Sequence, residues 1–253
     1  MSPPERQTKP MVRMATSEER LTRAKLLVAA AEEEMLLAIM FHETWKPTAY
    51  DGDLRARIGG SYAAHTFEII RLALRREVVM ALMRLWDDHR QALKLNSIVD
   101  VLQSAECFDG LMRERIAAIG VPEEEADALR DTHRKLRDDM VALVRKHTHS
   151  NDPSPLLDRL RTIRHERLAH RQAEQPTDPA GLLATDEEVE DLYQDSRRII
   201  NYMALLLLGR SFYLALGSGR PYRESAGYFW ESVRGEGAEG HPRVERAQRR
   251  RPL

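Results

Sequence analysis

Apolar residues recur along this chain at intervals of three and four, the spacing that lines them up on one face of a helix. Leu26, Leu27, Ala30, Leu36, Leu37 and Met40 follow that period loosely between Thr16 and Thr44, and Thr16 with Glu19 forms a capping box that opens the helix. "KPTAYDGD", 46–53, breaks it. Gly59 and Gly60 precede a second helix over 61–85, striped by Phe67, Ile70, Leu74, Val78, Leu82 and Leu85. "WDDHRQ" closes that helix, a short one starts at Asn96 or Ser97, and another spans about 109–119. Pro122 suits the first turn of a further helix, with three glutamates at its positive end. The turn residues of "KHTHSNDPSP", 146–155, end it. Ser154 and Pro155 open the next helix, and Thr185 with Glu188, a second capping box, starts a last long one toward Leu216. No run alternates strictly, "SIVDVL" is too short to argue for a sheet, and neither a glycine-rich phosphate loop nor an internal repeat is visible. The pattern predicts an all-α fold: a bundle of about seven helices forming one domain over 16–233. A loose N-terminal tail, 1–15, and a disordered, basic C-terminal tail, 234–253, are expected to flank it.

Composition narrows the function without naming it. With 42% hydrophobic and 31% charged residues, the chain has enough apolar surface for a core and enough charge for wet helix faces. Its net charge of −1 gives no global pull toward nucleic acid or an acidic membrane, so any such pull is local. The single cysteine, Cys107, forms no internal disulfide and reads as a buried structural thiol in a reducing cytoplasm. The opening "MSPPERQTKPMVRMATSEER" lacks the apolar core of a signal peptide. "IINYMALLLLGRSFYLALG", 199–217, has the length of a membrane span, but Asn201 and Arg210 sit inside it. It is expected to be a buried or interface helix, and no membrane partner is expected.

Most of the candidate chemistry lies in "RTIRHERLAHRQ", 161–172. Between Arg159 and Arg171 stand five arginines, two histidines and one acid, Glu166. Arg164, Arg167 and Arg171 share a helix face, and such a cluster, partly buried, would grip phosphate. Two readings fit: a solvated basic face with Leu168 and Ala169 turned inward, or a catalytic motif. Arg164 and His170 are six positions apart, about 240° of net rotation and about 9 Å of rise on a straight helix, so they do not share a face. Two antiparallel copies across a two-fold axis would bring the histidine of one near the arginine of the other. Elsewhere the signals are weaker. "HTH", 147–149, lies in a turn with no matching ligands, and Asp87 and Asp88 read as helix-end charges. His42, His65, His89 and His133 read as ordinary, and Trp45, Trp86 and Trp230 as packing. Neither a metal nor a cofactor is expected.

"RHERLAH" resembles the signature of the HEPN superfamily, helical proteins whose nucleases carry an arginine, four to six intervening residues and a histidine. Here Arg164 and His170 enclose five, and the polar position after the arginine holds His165. "ALMRLWDD", 81–88, and the "R…RLAHR" form of the motif resemble the abortive-infection (AbiU-like) branch. The likeness covers roughly residues 20–215 in layout. It implies metal-independent endoribonuclease activity in phage defence or a toxin–antitoxin-like role, leaving 2′,3′-cyclic phosphate ends. By that resemblance His170 is the acid/base, Arg164 braces charge on the phosphate, His165 orients a group or shares the proton transfer, and Arg167 and Arg171 hold flanking phosphates. It also implies a homodimer, an RNA substrate, and possible control by a neutralising partner protein. The alternative is a non-catalytic HEPN-like protein that binds nucleotide, RNA or a protein partner.

Overall fold

The computed structural model describes residues 15–59, 61, 63–87, 95–120, 122–149, 152–163, 184–212 and 219–233. Among them are nine α-helices: α1 (Ser17–Tyr50), α2 (Gly52–Gly59), α3 (Ala64–Leu85), α4 (Leu95–Gln103), α5 (Ala105–Ile119), α6 (Glu123–His147), α7 (Pro155–Ile163), α8 (Asp186–Met203) and α9 (Gly219–Ser232). A π-helical turn, Ala204–Leu208, extends α8. The only β pairing among the described residues is a two-residue antiparallel bridge, Thr148–His149 with Asp152–Pro153, in the turn between α6 and α7. The all-α class holds. Two helices more than expected appear, α2 and α9.

α1 is the axis of the bundle, packed by α3, α4, α5, α8 and α9. Its buried face is Leu21, Ala24, Val28, Ala31, Met35, Ala38, Ile39, His42 and Trp45. The expected stripe was in the wrong register: Leu26 is 69% and Leu37 38% exposed. The reason is chemical. Glu32, His42 and Glu43 lie on the inner face, so counting apolar residues misplaces it. The two carboxylates are satisfied there by arginines from later in the chain. Glu32 takes two hydrogen bonds from Arg210, and Glu43 takes two from Arg223, at 2.8 and 3.1 Å.

α1 also runs to Tyr50, past the break expected at 46–53, with Pro47 inside it. Proline interrupts a helix's own bonding. Here the carbonyls around it gain other donors: Trp230 Nε1–H donates to Thr44 O at 3.0 Å, and the Thr48 hydroxyl donates to Trp45 O at 2.6 Å. Trp45, Thr48 and Ala49 are buried, so packing holds the last turn in place. Asp51 then opens α2, its Oδ1 accepting the amides of Asp53 and Leu54 at 3.0 Å each. Leu54 and Ile58 of α2, Phe67 of α3, and Ala226 and Trp230 of α9 form a second, smaller apolar cluster.

Both expected capping boxes are present, at Thr16/Glu19 and Thr185/Glu188. α5 begins four residues earlier than expected, at Ala105, and Cys107 is fully buried. In the apolar segment at 199–217, Ile199, Ile200, Met203, Ala204, Leu206, Leu207 and Phe212 are buried, Gly209 and Arg210 are exposed, and the helix expected to run toward Leu216 stops at the π turn. Gly209, in the left-handed region at φ 69°, ends the π turn, and Arg115 donates to the freed carbonyl of Leu206 at 2.9 Å. Among the described residues no helix is long and apolar enough to cross a membrane.

Candidate functional site

Arg164, His165, Arg167, His170 and Arg171 all lie outside the described residues, as do both expected tails apart from Ala15. The described structure gives the two stems from which residues 164–183 spring, and both are held firmly.

The entry stem is α7, nine residues long, too short to persist alone. Ser154 starts it: its Oγ accepts the Leu157 amide at 3.4 Å, and its own amide donates to His147 O at 2.8 Å. Leu157 and Leu160 are buried in the main core. Near its end, Arg161 donates to the backbone carbonyl of Trp86 at 3.1 Å.

Beneath α7 sits a buried polar hub joining α3, α6 and α8. Trp86 Nε1–H donates to Ser196 Oγ at 2.9 Å, and that hydroxyl donates onward to Leu192 O at 2.7 Å. The Trp86 ring stands edge-on to His147, centroids 5.3 Å apart. His147, 4% exposed, meets Asp195 through Nε2 at 2.9 Å, and Lys146 reaches the same carboxylate oxygen at 2.6 Å. Burial lowers the His147 imidazole's pKa despite the neighbouring carboxylate, so the ring is neutral and Nε2–H is the donor. Burial pushes Asp195 the other way, but the hydrogen bonds from Lys146 and His147 prevail and hold it below the usual carboxylate range. His147 of "HTH" is thus committed to an acid–imidazole pair.

The exit stem is Ala184 and the first turn of α8. Arg75 of α3 donates to Ala184 O and, through Nε, to Asp186 Oδ1 at 2.7 Å. Arg71 takes the other oxygen of Asp186 at 2.8 Å. Glu188 serves both stems: Oε2 accepts the Thr185 amide at 2.9 Å in the capping box, and Oε1 accepts from Arg159 of α7. Its carboxyl is held below the usual range; burial opposes this, and Thr185 and Arg159 outweigh it.

A second acid–imidazole pair lies between α1 and α8. His42, fully buried, meets Glu190 at 2.6 Å and stacks on Tyr193 at 3.6 Å between centroids. Gln194 and Lys46 also reach Glu190, at 2.8 and 3.4 Å. Burial resists ionisation of Glu190, but the hydrogen bonds from His42 and Gln194 bring its pKa down to about 2. Sequence reasoning passed over His42, Glu190 and Asp195. The available signal was a histidine at the three-and-four spacing of a buried helix face. His42 is sealed from solvent, so this pair ties α1 to α8 rather than meeting a substrate.

A cleft of about 430 Å³ opens elsewhere, between α1, α5 and the π turn, lined by Lys25, Leu111, Glu114, Arg115, Leu207 and Gly209. Helix-end carbonyls and Glu114 offset its two cations, so it is poorly suited to an anion. Among the described residues no group of three histidine, cysteine, aspartate or glutamate side chains is placed to hold a metal ion.

The described residues form an all-helical bundle. The chain belongs to the AbiU2 family of HEPN proteins: the family's model matches residues 23–226. No curated protein and no solved structure matches the chain significantly.

Proposed function

We propose that this protein is a metal-independent endoribonuclease acting in the cytoplasm in phage defence or a toxin-like role. The observation that carries this reading is the coincidence of AbiU2 family membership over 23–226 with an intact Arg164 and His170, five residues between them, inside that span. RNA offers a 2′-OH beside each scissile phosphate. His170 takes its proton as the oxygen attacks phosphorus, and a histidine returns a proton to the departing 5′-oxygen. Arg164 braces the charge that builds on the phosphate oxygens. His165 orients or shares the proton, and Arg167 and Arg171 hold flanking phosphates. The products are a 2′,3′-cyclic phosphate and a 5′-hydroxyl.

The active species is a homodimer, because the net rotation of about 240° between Arg164 and His170 on a straight helix is resolved by pairing residues across a two-fold axis. Possible restraint by a neutralising partner protein belongs to the same reading.

The test compares RNA cleavage by the parent and His170→Ala, with helical content checked by circular dichroism. Cleavage that persists in EDTA, leaves cyclic phosphate ends and is abolished in the variant supports the reading. A variant as active as the parent removes His170 from the chemistry. A parent that binds RNA and never cuts it favours a non-catalytic binding protein. Mixing Arg164→Ala and His170→Ala chains tests the dimer: recovered activity means arginine and histidine come from different chains.

A further inference from the structure

The first half of α3 is apolar on two opposite sides. Phe67, Leu74 and Val78 face the interior: Phe67 and Val78 are buried, and Leu74 packs against both apolar clusters. At about 100° per residue, His65, Ile69, Leu72 and Arg76 fall within about 60° of one another on the far side of the helix. Ile69 is 66% and Leu72 59% exposed, and His65 and Ala73 beside them are exposed too. Scattered exposed apolar residues are ordinary. Two large aliphatic side chains one turn apart, at the four-three-four spacing of a two-helix seam, form a strip of the kind that marks an interface.

Opposite charges stand symmetrically about that strip. Glu68 and Arg76 each lie four residues, about 6 Å, from Leu72. Glu68 accepts from Arg71 at 3.4 Å, and Arg76 is 4.0 Å from Glu77, yet the Glu68 and Arg76 side chains stay 54% and 52% exposed. The symmetry decides what fits. Two copies of α3 packed antiparallel about Leu72 set Ile69 and Leu72 of one against the same pair in the other, and bring Glu68 of each copy within side-chain reach of Arg76 of its partner. A parallel pairing sets glutamate against glutamate and arginine against arginine. Self-complementarity is what an isologous two-fold contact requires, and a surface for an unrelated protein has no need of it.

We propose that the outer face of α3, Ile69 and Leu72 flanked by Glu68 and Arg76, docks on the same face of a second copy of this chain across a two-fold axis. The strip is about three turns long, less than the roughly 800 Å² per partner of a tight interface, so the dimer is reversible, with a dissociation constant of about micromolar order. Arg71 and Arg75 of the same helix hold Asp186, so the axis runs close to the first turn of α8. The proposal gives the dimer of the nuclease reading a surface, and it rests on that reading only for its bearing on RNA cleavage.

The test is sedimentation of the full chain over about 1–100 μM, with helical content followed by circular dichroism. The parent is compared with Leu72→Glu, Glu68→Arg and Arg76→Glu, and with Leu26→Glu, a control at a 69% exposed leucine on α1. Leu72→Glu is expected to weaken association by about a hundredfold or more, because the axis brings both new carboxylates into one apolar contact, and Leu26→Glu to leave it unchanged. Glu68→Arg and Arg76→Glu should each weaken it by about tenfold, since each creates two like-charge contacts. Mixed together, those two variants should associate with the parent's affinity: opposite charges then meet at both ends of the strip. That recovery keeps the test decisive even where Leu72→Glu loses helix.

A parent that stays monomeric over this range overturns the proposal. So does a dimer weakened no more by Leu72→Glu than by Leu26→Glu, and so do charge variants that fail to recover on mixing. A parent that dimerises through this face and cleaves no RNA defeats the nuclease reading instead and leaves the surface standing.

Discussion

Replacing Trp86 with phenylalanine should destabilise the protein by an amount that depends on Ser196. Trp86 is 4% exposed, and its indole N–H donates to a hydroxyl with no exposure at all. Phenylalanine leaves that hydroxyl's acceptor side buried and unsatisfied, which costs about 1–3 kcal/mol. The smaller ring also vacates roughly 40 Å³, about 1 kcal/mol at about 24 cal/mol per Å³ of cavity. Trp86→Phe should therefore cost about 2–4 kcal/mol, lowering the melting midpoint by roughly 10 °C at about 2–4 °C per kcal/mol for a chain of this size. Ser196→Ala orphans the indole donor instead and should cost about 1–3 kcal/mol. In the double variant neither group is left without its partner. Its cost should fall short of the sum of the singles by about 1–2 kcal/mol. Urea unfolding followed by far-ultraviolet circular dichroism measures all four corners without relying on tryptophan emission. Additivity within about 0.3 kcal/mol would mean the buried indole–hydroxyl bond contributes nothing, and the account of the hub beneath α7 would be wrong.

Acid should weaken the parent in two steps. Below the ordinary histidine range, near pH 6.5, the unfolded chain protonates His147 while the folded one resists, so stability falls as pH drops; His147→Gln keeps a donor for Asp195 and should lose that step in urea titrations between pH 7 and 5. Asp195 and Glu190, both held low when folded, add a second loss below about pH 4 that Asp195→Asn should reduce. Glu43→Ala should leave Arg223 without its carboxylate and loosen α9 from α1, raising amide exchange in 219–232 well before it changes exchange in α8. Gly209→Ala forces a side chain into left-handed backbone and should cost about 1–2 kcal/mol in the same urea assay.

The two capped helix starts were easy to read because caps are local. Thr16/Glu19 and Thr185/Glu188 each need four consecutive residues, and both capping boxes formed as written. Helix ends were harder. The stop at Pro47 is a sound local inference, and burial of Trp45, Thr48 and Ala49 against later parts of the chain carries the helix past it. The inner face of α1 failed for a related reason. Glu32, His42 and Glu43 look like outward residues until Arg210, Glu190 and Arg223 are packed beside them.

The motif shows the same division. The roles proposed for Arg164 and His170 come from their identities and spacing in the sequence, and both residues lie outside the described structure. The ion pairs that hold the flanking helices were not legible. Arg75 and Asp186 are 111 positions apart, and in the sequence they are two among 39 basic and 40 acidic residues. Arg159 looked like one more member of a basic run. Only the packing of α3 and α7 against the start of α8 separates it from its neighbours, by giving it Glu188 as a fixed partner. A charged residue's role here follows from which carboxylate the fold delivers to it, and that delivery is made by the apolar faces of Leu157, Leu160, Val189 and Leu192, which carry no charge themselves.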